Sequence, residues 1–539
     1  MPSVANTPLA IAYSGKDLPL AFETMRNFAG GVDAFDDPID LAQNQGQSLI
    51  NIIIRDKLKA RTRPGADPLG GAPLVNPGQP IRGLRFFSTP ATSQLLAVSG
   101  GHFFTWNGIN WNQNNGWSPN NPNVAVAMAQ GVDKVLLSDG VGNLQSYDGA
   151  NFTDLGNGPN SPPVGVTILC WHTSRMFASG QGQNNDTIYV SNLLSFGNGD
   201  WNNNTRSFRV GGGQGDPIVG MADMPQFMLV VLKQNSVWLT YTDPTQEPAN
   251  WSASQASDIL ADGLGCVGKY AWCRYGNDLL FFSQDGIRSV QRMIAASNNG
   301  TLVTGSTQFQ LAAPISVPIQ PIIDQINVNA MSGIVAAKFK EFAFFAVPLG
   351  NVTYNNAVLV WNGRLGCWSG YWMNWTPLCW EISRFNGIQQ LNFGDNAGLV
   401  NFWKELNDPT ADATYEDNGA PYQTVYATRS FTFGDLESPK SAYNAKMRFN
   451  MGNANLIFTA IGDDAELNSF SQAIQPTGDI LGQGTLPFLL QSQKPALLPF
   501  SLRGLPSFNE LYLQIQSDSG WWELRNLTAG ARVRPLKRK

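Results

Sequence analysis

The sequence predicts an all-β protein whose main body is a β-propeller, for which we expect six blades. Three observations point to this fold: a recurring hairpin signature, strand pairs repeated every roughly 40 to 60 residues, and an abundance of turn-forming Gly (54) and Pro (33) among 539 residues. This spacing accommodates about four short strands per unit, which is what a propeller blade requires. A β-sandwich array is the alternative, but it favours cleaner polar–apolar alternation.

The recurring hairpin has an aromatic residue, an Asn-Gly or Asp-Gly step and a second aromatic residue. Such steps supply the positive φ angles of tight hairpin turns, and the aromatic side chains can pair across the two strands. The copies are residues 106–111 (WNGINW), 147–152 (YDGANF) and 361–368 (WNGRLGCW). Aromatic residues beside acidic turns can mark sugar sites, whereas at blade edges they seal the packing.

Strand pairs joined by polar turns fill residues 81–415, the predicted propeller domain. Long apolar runs such as FMLVVL suit strands buried on both faces. The first six pairs are 95–98 with 102–106, 134–137 with 143–147, 175–178 with 187–190, 227–232 with 237–241, 278–282 with 287–290, and 341–347 with 357–361. A candidate seventh pair is 390–393 with 399–403.

The segments that flank these repeats have a different character. Residues 1–80 predict an extended arm and platform strands: a β-branched strand at 49–54, a basic strand at 57–63 and a Gly/Pro-rich connector at 64–80. Residues 416–539 alternate polar and apolar residues, which predicts an antiparallel β domain with a solvated face. We expect the two terminal segments to form one additional β platform.

Composition excludes several classes of protein. Charged residues make up 14%, against roughly 25% in an ordinary soluble domain. The net charge of −5 and pI near 5.2 argue against a nucleic-acid binder with a basic patch. Five irregularly spaced cysteines predict neither a disulfide framework nor a zinc site. No secretory pattern or long apolar stretch is evident, so we expect synthesis in a reducing cytoplasm.

Few residues could carry catalysis. The two histidines, His102 and His172, lie in aromatic-rich, strand-like segments where a packing role is expected. No GxSxG elbow, HExxH motif or phosphate-binding loop accompanies them. A propeller glycosidase would need channel carboxylates, and the candidates are Asp139, Asp148, Asp285 and Asp395. All four occupy turns, where carboxylates usually bond their own backbone. We therefore predict no enzymatic activity, cofactor or metal.

The N-terminal segment carries a recognisable motif. The motif begins with Gly30-Gly31-Val32. Further along the chain it continues with a set of residues at defined spacing: Asn51, Arg55-Asp56, Leu58, Arg61, Arg63 and Gly65. This resembles the opening of the tail tube or nozzle proteins (tail tubular protein B-like) of short-tailed bacteriophages, or podoviruses, although Lys57 replaces that family's usual Gly. Residues 95–111 and 510–530 resemble the propeller and the closing β platform of the same family.

The resemblance implies a structural virion protein of the tail, synthesised in the bacterial host cytoplasm and located below the portal and adaptor rings. Such nozzles are typically sixfold rings, so we expect a homohexamer with the tail adaptor ring and tail fibres or spikes as partners. Double-stranded DNA would pass through the channel without sequence-specific binding. The alternative function is a carbohydrate-binding or glycoside-cleaving β-propeller.

Assembly residues follow from the same resemblance. We expect intersubunit contacts from Asn51, Arg55, Asp56, Arg61 and Arg63. Because DNA carries about one negative charge per 1.7 Å of duplex axis, a basic wall would retain it. We therefore expect a channel of neutral amides and some carboxylates, through which DNA slides.

Overall fold

The structure is a computed structural model that describes residues 18–55, 58–75, 78–182, 184–202, 206–212, 215–248, 251, 258–298, 313–452, 454–463, 469–474, 496–502 and 505–534. The chain divides into two compact units, residues 1–63 with 423–539 and residues 64–422. It is all-β, as predicted. The helices are short: α1 (Val290–Asn298), α2 (Gln320–Ile323) and 3-10 turns at Val317–Ile319, Val328–Gly333, Lys404–Leu406 and Asp412–Tyr415.

The N-terminal part of the first unit supplies five strands. They are β1 (Leu20–Met25), β2 (Gly31–Val32), β3 (Gln45–Ile50), β4 (Ile52–Ile54) and β5 (Ala60–Thr62). The single strand predicted over 49–54 is interrupted at Asn51, whose φ of +55° is left-handed. Asn tolerates this conformation better than most side chains do. The break lets β3 and β4 join two different sheets.

Among its described residues, the second unit contains seven successive groups of three or four antiparallel strands and a two-stranded hairpin, and the sixth group is part of a ten-stranded sheet. The first four sheets have four strands each: β7 (Ile81–Ser88), β8 (Ser93–Ser99), β9 (His102–Trp106), β10 (Trp111–Asn114); β11 (Ala127–Gly131), β12 (Lys134–Ser138), β13 (Gln145–Tyr147), β14 (Phe152–Asp154); β15 (Ile168–His172), β16 (Arg175–Ser179), β17 (Thr187–Val190), β18 (Ser207–Arg209); β19 (Ile218–Met224), β20 (Met228–Lys233), β21 (Ser236–Tyr241) and β22 (Asp258–Asp262).

The remaining three sheets complete this series. They are formed by β23 (Trp272–Tyr275), β24 (Asp278–Ser283), β25 (Gly286–Ser289); β26 (Val335–Phe339), β27 (Phe342–Val347), β28 (Ala357–Asn362), β29 (Cys367–Met373); and β30 (Pro377–Phe385), β31 (Ile388–Asp395), β32 (Val400–Trp403) with β6 (Ala66–Pro68). A short hairpin follows, β33 (Glu416–Asp417) with β34 (Ala420–Pro421).

Each of the seven predicted strand pairs supplies two adjacent strands of one sheet. The candidate seventh pair, β31 with β32, belongs to a complete four-stranded sheet. Its outermost strand, β6, comes from the segment predicted as a connector and pairs with β32 across Phe402 and Asp67. The second unit accordingly begins at Pro64, upstream of the predicted boundary at 80.

The first strands of neighbouring sheets lie side by side. Strand β7 adjoins β11, β11 adjoins β15, β15 adjoins β19, β23 adjoins β26, β26 adjoins β30, and β30 adjoins β7 again. Between the fourth and fifth sheets, a Cβ on Gly220 of β19 would lie 2.6 Å from Nε1 of Trp272 in β23. Glycine is therefore required there for the close approach of these two strands.

The predicted hairpins form, and the same Asx turn stabilises each one. The side-chain oxygens of Asn107, Asp148 and Asn362 accept hydrogen bonds from backbone amides two and three residues later. The flanking aromatic residues are cross-strand partners, with ring centroids 5.3 Å apart for Trp106–Trp111 and 4.8 Å for Tyr147–Phe152. Local turn chemistry thus sets the register of these pairs.

An aromatic cluster fills the space between the sixth and seventh sheets. Its members are Phe344, Trp372, Trp375, Trp380, Phe393 and Trp403. The indole of Trp403 is fully enclosed and donates to the carbonyl oxygen of Pro64 at 3.2 Å, just before β6. Because each indole buries a large apolar area, this cluster is a major source of stability for the seventh sheet.

The C-terminal part completes the first unit with seven strands: β35 (Thr424–Thr428), β36 (Lys440–Met451), β37 (Leu456–Gly462), β38 (Ser469–Ile474), β39 (Ala496–Ser501), β40 (Leu511–Ser517) and β41 (Trp522–Val533). One sheet runs β39-β36-β41-β5-β4, with β1 also on β41; in the other, β2, β3, β35, β40, β37 and β38 follow in order. The Trp522 indole donates to Thr424 Oγ1 at 2.9 Å and joins the two sheets.

Candidate assembly surface

Strand β1 lies at an edge of the first unit. It pairs antiparallel with β41 over its whole length, from Leu20 opposite Arg532 to Met25 opposite Leu527. Among the described residues, no strand pairs with its other edge. Two large apolar side chains on this strand face solvent: Leu20 is 44% exposed and Phe22 is 54% exposed. An edge with exposed apolar side chains is a template for pairing with another chain.

A cleft of about 790 Å³ opens beside this strand. Its walls come from the β1 strand and the residues after it, from Gln43 and Asn44, and from the segment that follows β35. The lining residues are Ala21, Phe22, Glu23, Thr24, Arg26, Asn27, Gln43, Asn44, Arg429, Thr432, Phe433 and Gly434. The cleft therefore combines an aromatic edge with polar side chains, which is the composition of a protein interface rim.

An ion pair organises the floor of this cleft. Arg429 donates to one carboxylate oxygen of Glu23, and the backbone amide of Phe433 donates to the other at 2.5 Å. The Arg429 guanidinium also lies 5.4 Å from the ring centroid of Phe431. With both carboxylate oxygens engaged, Glu23 is held rigidly, so β1 is anchored to the segment after β35 by side-chain bonds as well as by its backbone.

The sequence-predicted assembly residues have different positions. Asn51 and Arg63 are buried, with 2% and 0% exposure. Arg63 Nε donates to Asn51 Oδ1 at 3.0 Å, and Asn51 Nδ2 donates to the Gln423 carbonyl at 2.7 Å. The motif therefore supports the chain reversal at Asn51 inside the first unit. This burial leaves neither side chain accessible to a second subunit.

The other candidates lie nearer the surface or outside the described residues. Arg55 and Arg61 are half-buried, and Arg61 occupies β5 between Ile53 and Glu523. Asp56 lies outside the residues that the structure describes. Sequence analysis did not assign β1. The alternation in LAFETM is compatible with a strand, but it does not show which edges and faces of that strand stay uncovered.

The four turn carboxylates all have structural partners. Asp139 accepts from the amides of Val141 and Gly142; burial opposes its ionisation, but these bonds outweigh burial and lower its pKa. Asp148 is held in the same way, and its pKa is also lowered by backbone hydrogen bonds. Such bonds occupy the acceptor sites that catalysis would need.

The other two carboxylates differ in detail. Asp285 pairs with the guanidinium of Arg288. Asp395 accepts from the Leu399 amide at 2.8 Å and from Asn401 at 2.9 Å. Burial raises the pKa of Asp395, although its hydrogen bonds act in the opposite direction. Both carboxylates therefore stabilise their own turns.

The two histidines also differ. His102 is exposed, and its Nδ1 lies 3.2 Å from the Gln113 amide. His172 is buried between Asp223 (2.5 Å) and Thr242 Oγ1 (2.6 Å). Burial opposes ionisation of Asp223, but the His172 bond and the charges of His172 and Arg274 lower its pKa. The Thr-His-Asp array resembles a catalytic triad, but Thr242 is fully enclosed, so no substrate reaches it.

Two further structural features bear on function. Within the described part of the chain, no group of three or more His, Cys, Asp or Glu residues could hold a metal ion. None of the helices there is long and apolar enough to cross a membrane.

Comparison with known proteins gives little further information. No protein-family model matches the chain, and no curated protein matches it either. Among solved structures, the crystal structure of the computationally designed Ika8 protein is similar at 13% identity and a TM-score of 0.36. The match covers 66% of this chain and 96% of the Ika8 chain.

Proposed function

We propose that this chain is a structural subunit of a virion tail, the nozzle of a short-tailed bacteriophage, and has no enzymatic activity. In this proposal, a homohexameric ring docks on the tail adaptor ring, carries tail fibres or spikes and lets double-stranded DNA pass. The observation that carries it is the unpaired edge of β1, next to a polar cleft, in a unit built from both ends of the chain.

The second unit is, in this proposal, a seven-bladed β-propeller. Its support is the succession of first strands, in which β7, β11, β15 and β19 adjoin in turn and β23, β26, β30 and β7 adjoin in turn. Between these two series, Gly220 of β19 lies close to Trp272 of β23. Strand β6, from the start of the unit, completes the last sheet beside β32. Pairing the two ends of a propeller in one blade closes the ring and leaves no long exposed edge, which favours a stable monomeric building block.

The edge of β1 suits strand addition by a second copy of this chain. Backbone groups on this edge would provide the affinity, and alternate side chains would provide the specificity. Leu20 and Phe22 supply apolar contact area, while Glu23 and Arg429 keep the strand position fixed before the partner arrives. A preorganised edge loses less conformational entropy on association than a mobile one.

The test replaces the two exposed apolar residues by lysine, as Leu20→Lys with Phe22→Lys. The matched control is Ile388→Lys on β31, an apolar residue with 59% exposure in the other unit. Light scattering and negative-stain images of the wild type and the control should show rings of about six copies, alone or on adaptor complexes. The double variant should remain monomeric with an unchanged circular dichroism spectrum.

Two results would contradict the proposal: a wild-type protein that stays monomeric even with adaptor complexes, or a double variant that assembles as the control does. Deleting residues 1–65 is not an informative test. The deletion removes β1 to β5 together with the buried Asn51–Arg63 pair, so the first unit itself would lose its core.

A further inference from the structure

One face of the β9–β10 hairpin carries a strip of aromatic and amide side chains, in which Phe104 and Trp106 are buried in a core cluster and Trp111 is partly buried against it. In the register of β9 and β10, Trp106 faces Trp111 and Phe104 faces Gln113. Because side chains alternate along strands, these four lie on one face of the sheet. Asn110, in the turn between the strands, is exposed at the end of the strip.

A second wall converts this strip into a cleft of about 390 Å³. The wall is the backbone of residues 70–74, which approaches the indole closely: a Cβ on Gly70 would lie 2.9 Å from Trp111 Cδ1. The Trp111 Nε1 donates to the carbonyl oxygen of Leu69 at 2.9 Å and thereby fixes the ring plane. The nine lining residues include no ionisable side chain.

The related hairpin of the second sheet is packed in a comparable way. There the ring of Phe152 packs on Phe103 at 4.9 Å and on Trp117 at 5.9 Å, and Tyr147 belongs to the same buried cluster. In both hairpins the first aromatic residue is buried and the second is partly buried against a core cluster, and beside Trp111 this packing leaves a cleft.

We propose that this cleft binds a neutral pyranose of a glycan. A pyranose has an apolar C–H face that stacks on an aromatic ring and an equatorial rim of hydroxyl groups that exchange hydrogen bonds with amides. Trp111 supplies the ring and Asn110 supplies an amide donor and acceptor. Gln113, whose Nε2 already contacts His102 Nδ1 and donates to Asn115 Oδ1, supplies its amide oxygen as an acceptor. The cleft volume falls within the range for small-ligand sites. Its lining holds no carboxylate, so binding proceeds without hydrolysis of the glycosidic bond.

The experiment titrates the full chain with maltotetraose, cellotetraose and chitotetraose, each up to about 10 mM, followed by saturation-transfer NMR and tryptophan fluorescence. At least one of these sugars should bind with a millimolar dissociation constant. Trp111→Ala and Gln113→Ala should each weaken that binding by about tenfold. Gly70→Ala, which places a Cβ atom against the Trp111 indole, should also weaken sugar binding.

The matched control is Asn112→Ala, because Asn112 is exposed on the same strand but its side chain projects from the opposite face. This variant should bind the sugar within twofold of the wild type. The proposal fails if none of the three sugars transfers saturation, if Trp111→Ala and Asn112→Ala bind equally, or if an anionic sugar such as sialyllactose binds more tightly than all three. Ring assembly is measured on the same samples, so loss of sugar binding and loss of assembly are separately visible.

Discussion

Replacing Lys269 by Met should stabilise the second unit near neutral pH. The Nζ of Lys269 lies 5.0 Å from the ring centroid of Tyr270, and among the described residues no carboxylate forms an ion pair with it. Burial lowers the pKa of Lys269 from 10.5 to about 7. At 1.36 kcal/mol per pH unit, this difference corresponds to about 5 kcal/mol. The side chain retains some solvent exposure, so we expect about 2 to 4 kcal/mol of stabilisation at pH 7 in the variant.

The direction of the pH dependence follows from the lowered pKa. Below about pH 7 the lysine is charged in both the folded and the unfolded chain, and the cost of burying the charge is fully present. Between about 7 and 10.5 the unfolded chain binds more protons than the folded chain, so stability rises with pH. The wild type should gain up to about 2 kcal/mol between pH 7 and about 8.5.

The assay is urea unfolding of the wild type and Lys269→Met at several pH values, followed by tryptophan fluorescence. The pH range of the assay ends near 8.5 because burial raises the pKa of all five cysteines to about 12. Above pH 8.5 the cysteines ionise in the unfolded chain but not in the folded chain, and this difference lowers the stability of the folded chain. Lys338→Met is the matched control, since its Nζ lies 5.9 Å from the Tyr275 ring centroid. Parallel stability curves for the wild type and Lys269→Met would refute the reasoning.

Three further substitutions test the packing. Asn51→Ala removes the acceptor of a buried guanidinium and places Ala at a φ of +55°. The free energy of unfolding of the first unit should therefore fall by about 2 to 4 kcal/mol in urea titrations. A loss below about 0.5 kcal/mol would contradict this prediction. Trp403→Ala should cost the second unit about 3 to 5 kcal/mol by calorimetry, and an unchanged transition would exclude a stabilising role for the cluster. Gly65→Ala places Cβ 1.9 Å from a backbone carbonyl oxygen and should lower the free energy of unfolding by at least about 2 kcal/mol. Gly333→Ala has open space around the new Cβ and should change that free energy by no more than about 0.5 kcal/mol. Equal effects of the two substitutions would be inconsistent with the clash.

Strand pairs and hairpin turns could be predicted because their causes are local. The Asn-Gly and Asp-Gly steps place residues with permissive φ angles beside side chains that bond the next amides. The pair at residues 390–403 was located in the same way, as β31 and β32. Its status as a complete sheet was not visible, because β6 joins it from more than 300 residues away in the sequence. No local pattern encodes such a pairing.

The site residues illustrate the same limit. The motif around Asn51 and Arg63 lies buried within the first unit, where the two side chains bond each other, and its role in assembly stays a prediction. Similarly, the hairpins at residues 106–111 and 147–152 are nearly equivalent in sequence. In both, the first ring is buried and the second is partly buried against a core cluster, and neighbours distant in sequence decide that a cleft opens beside Trp111.

Turn geometry, strand positions and the all-β class are therefore properties of the sequence itself, since they depend on φ preferences and on the alternation of apolar residues over a few positions. The number of sheets, the joining of the two chain ends in one unit and the exposure of β1 depend on tertiary structure. Each of these requires partners that are distant in sequence, and burial is a property of the assembled chain.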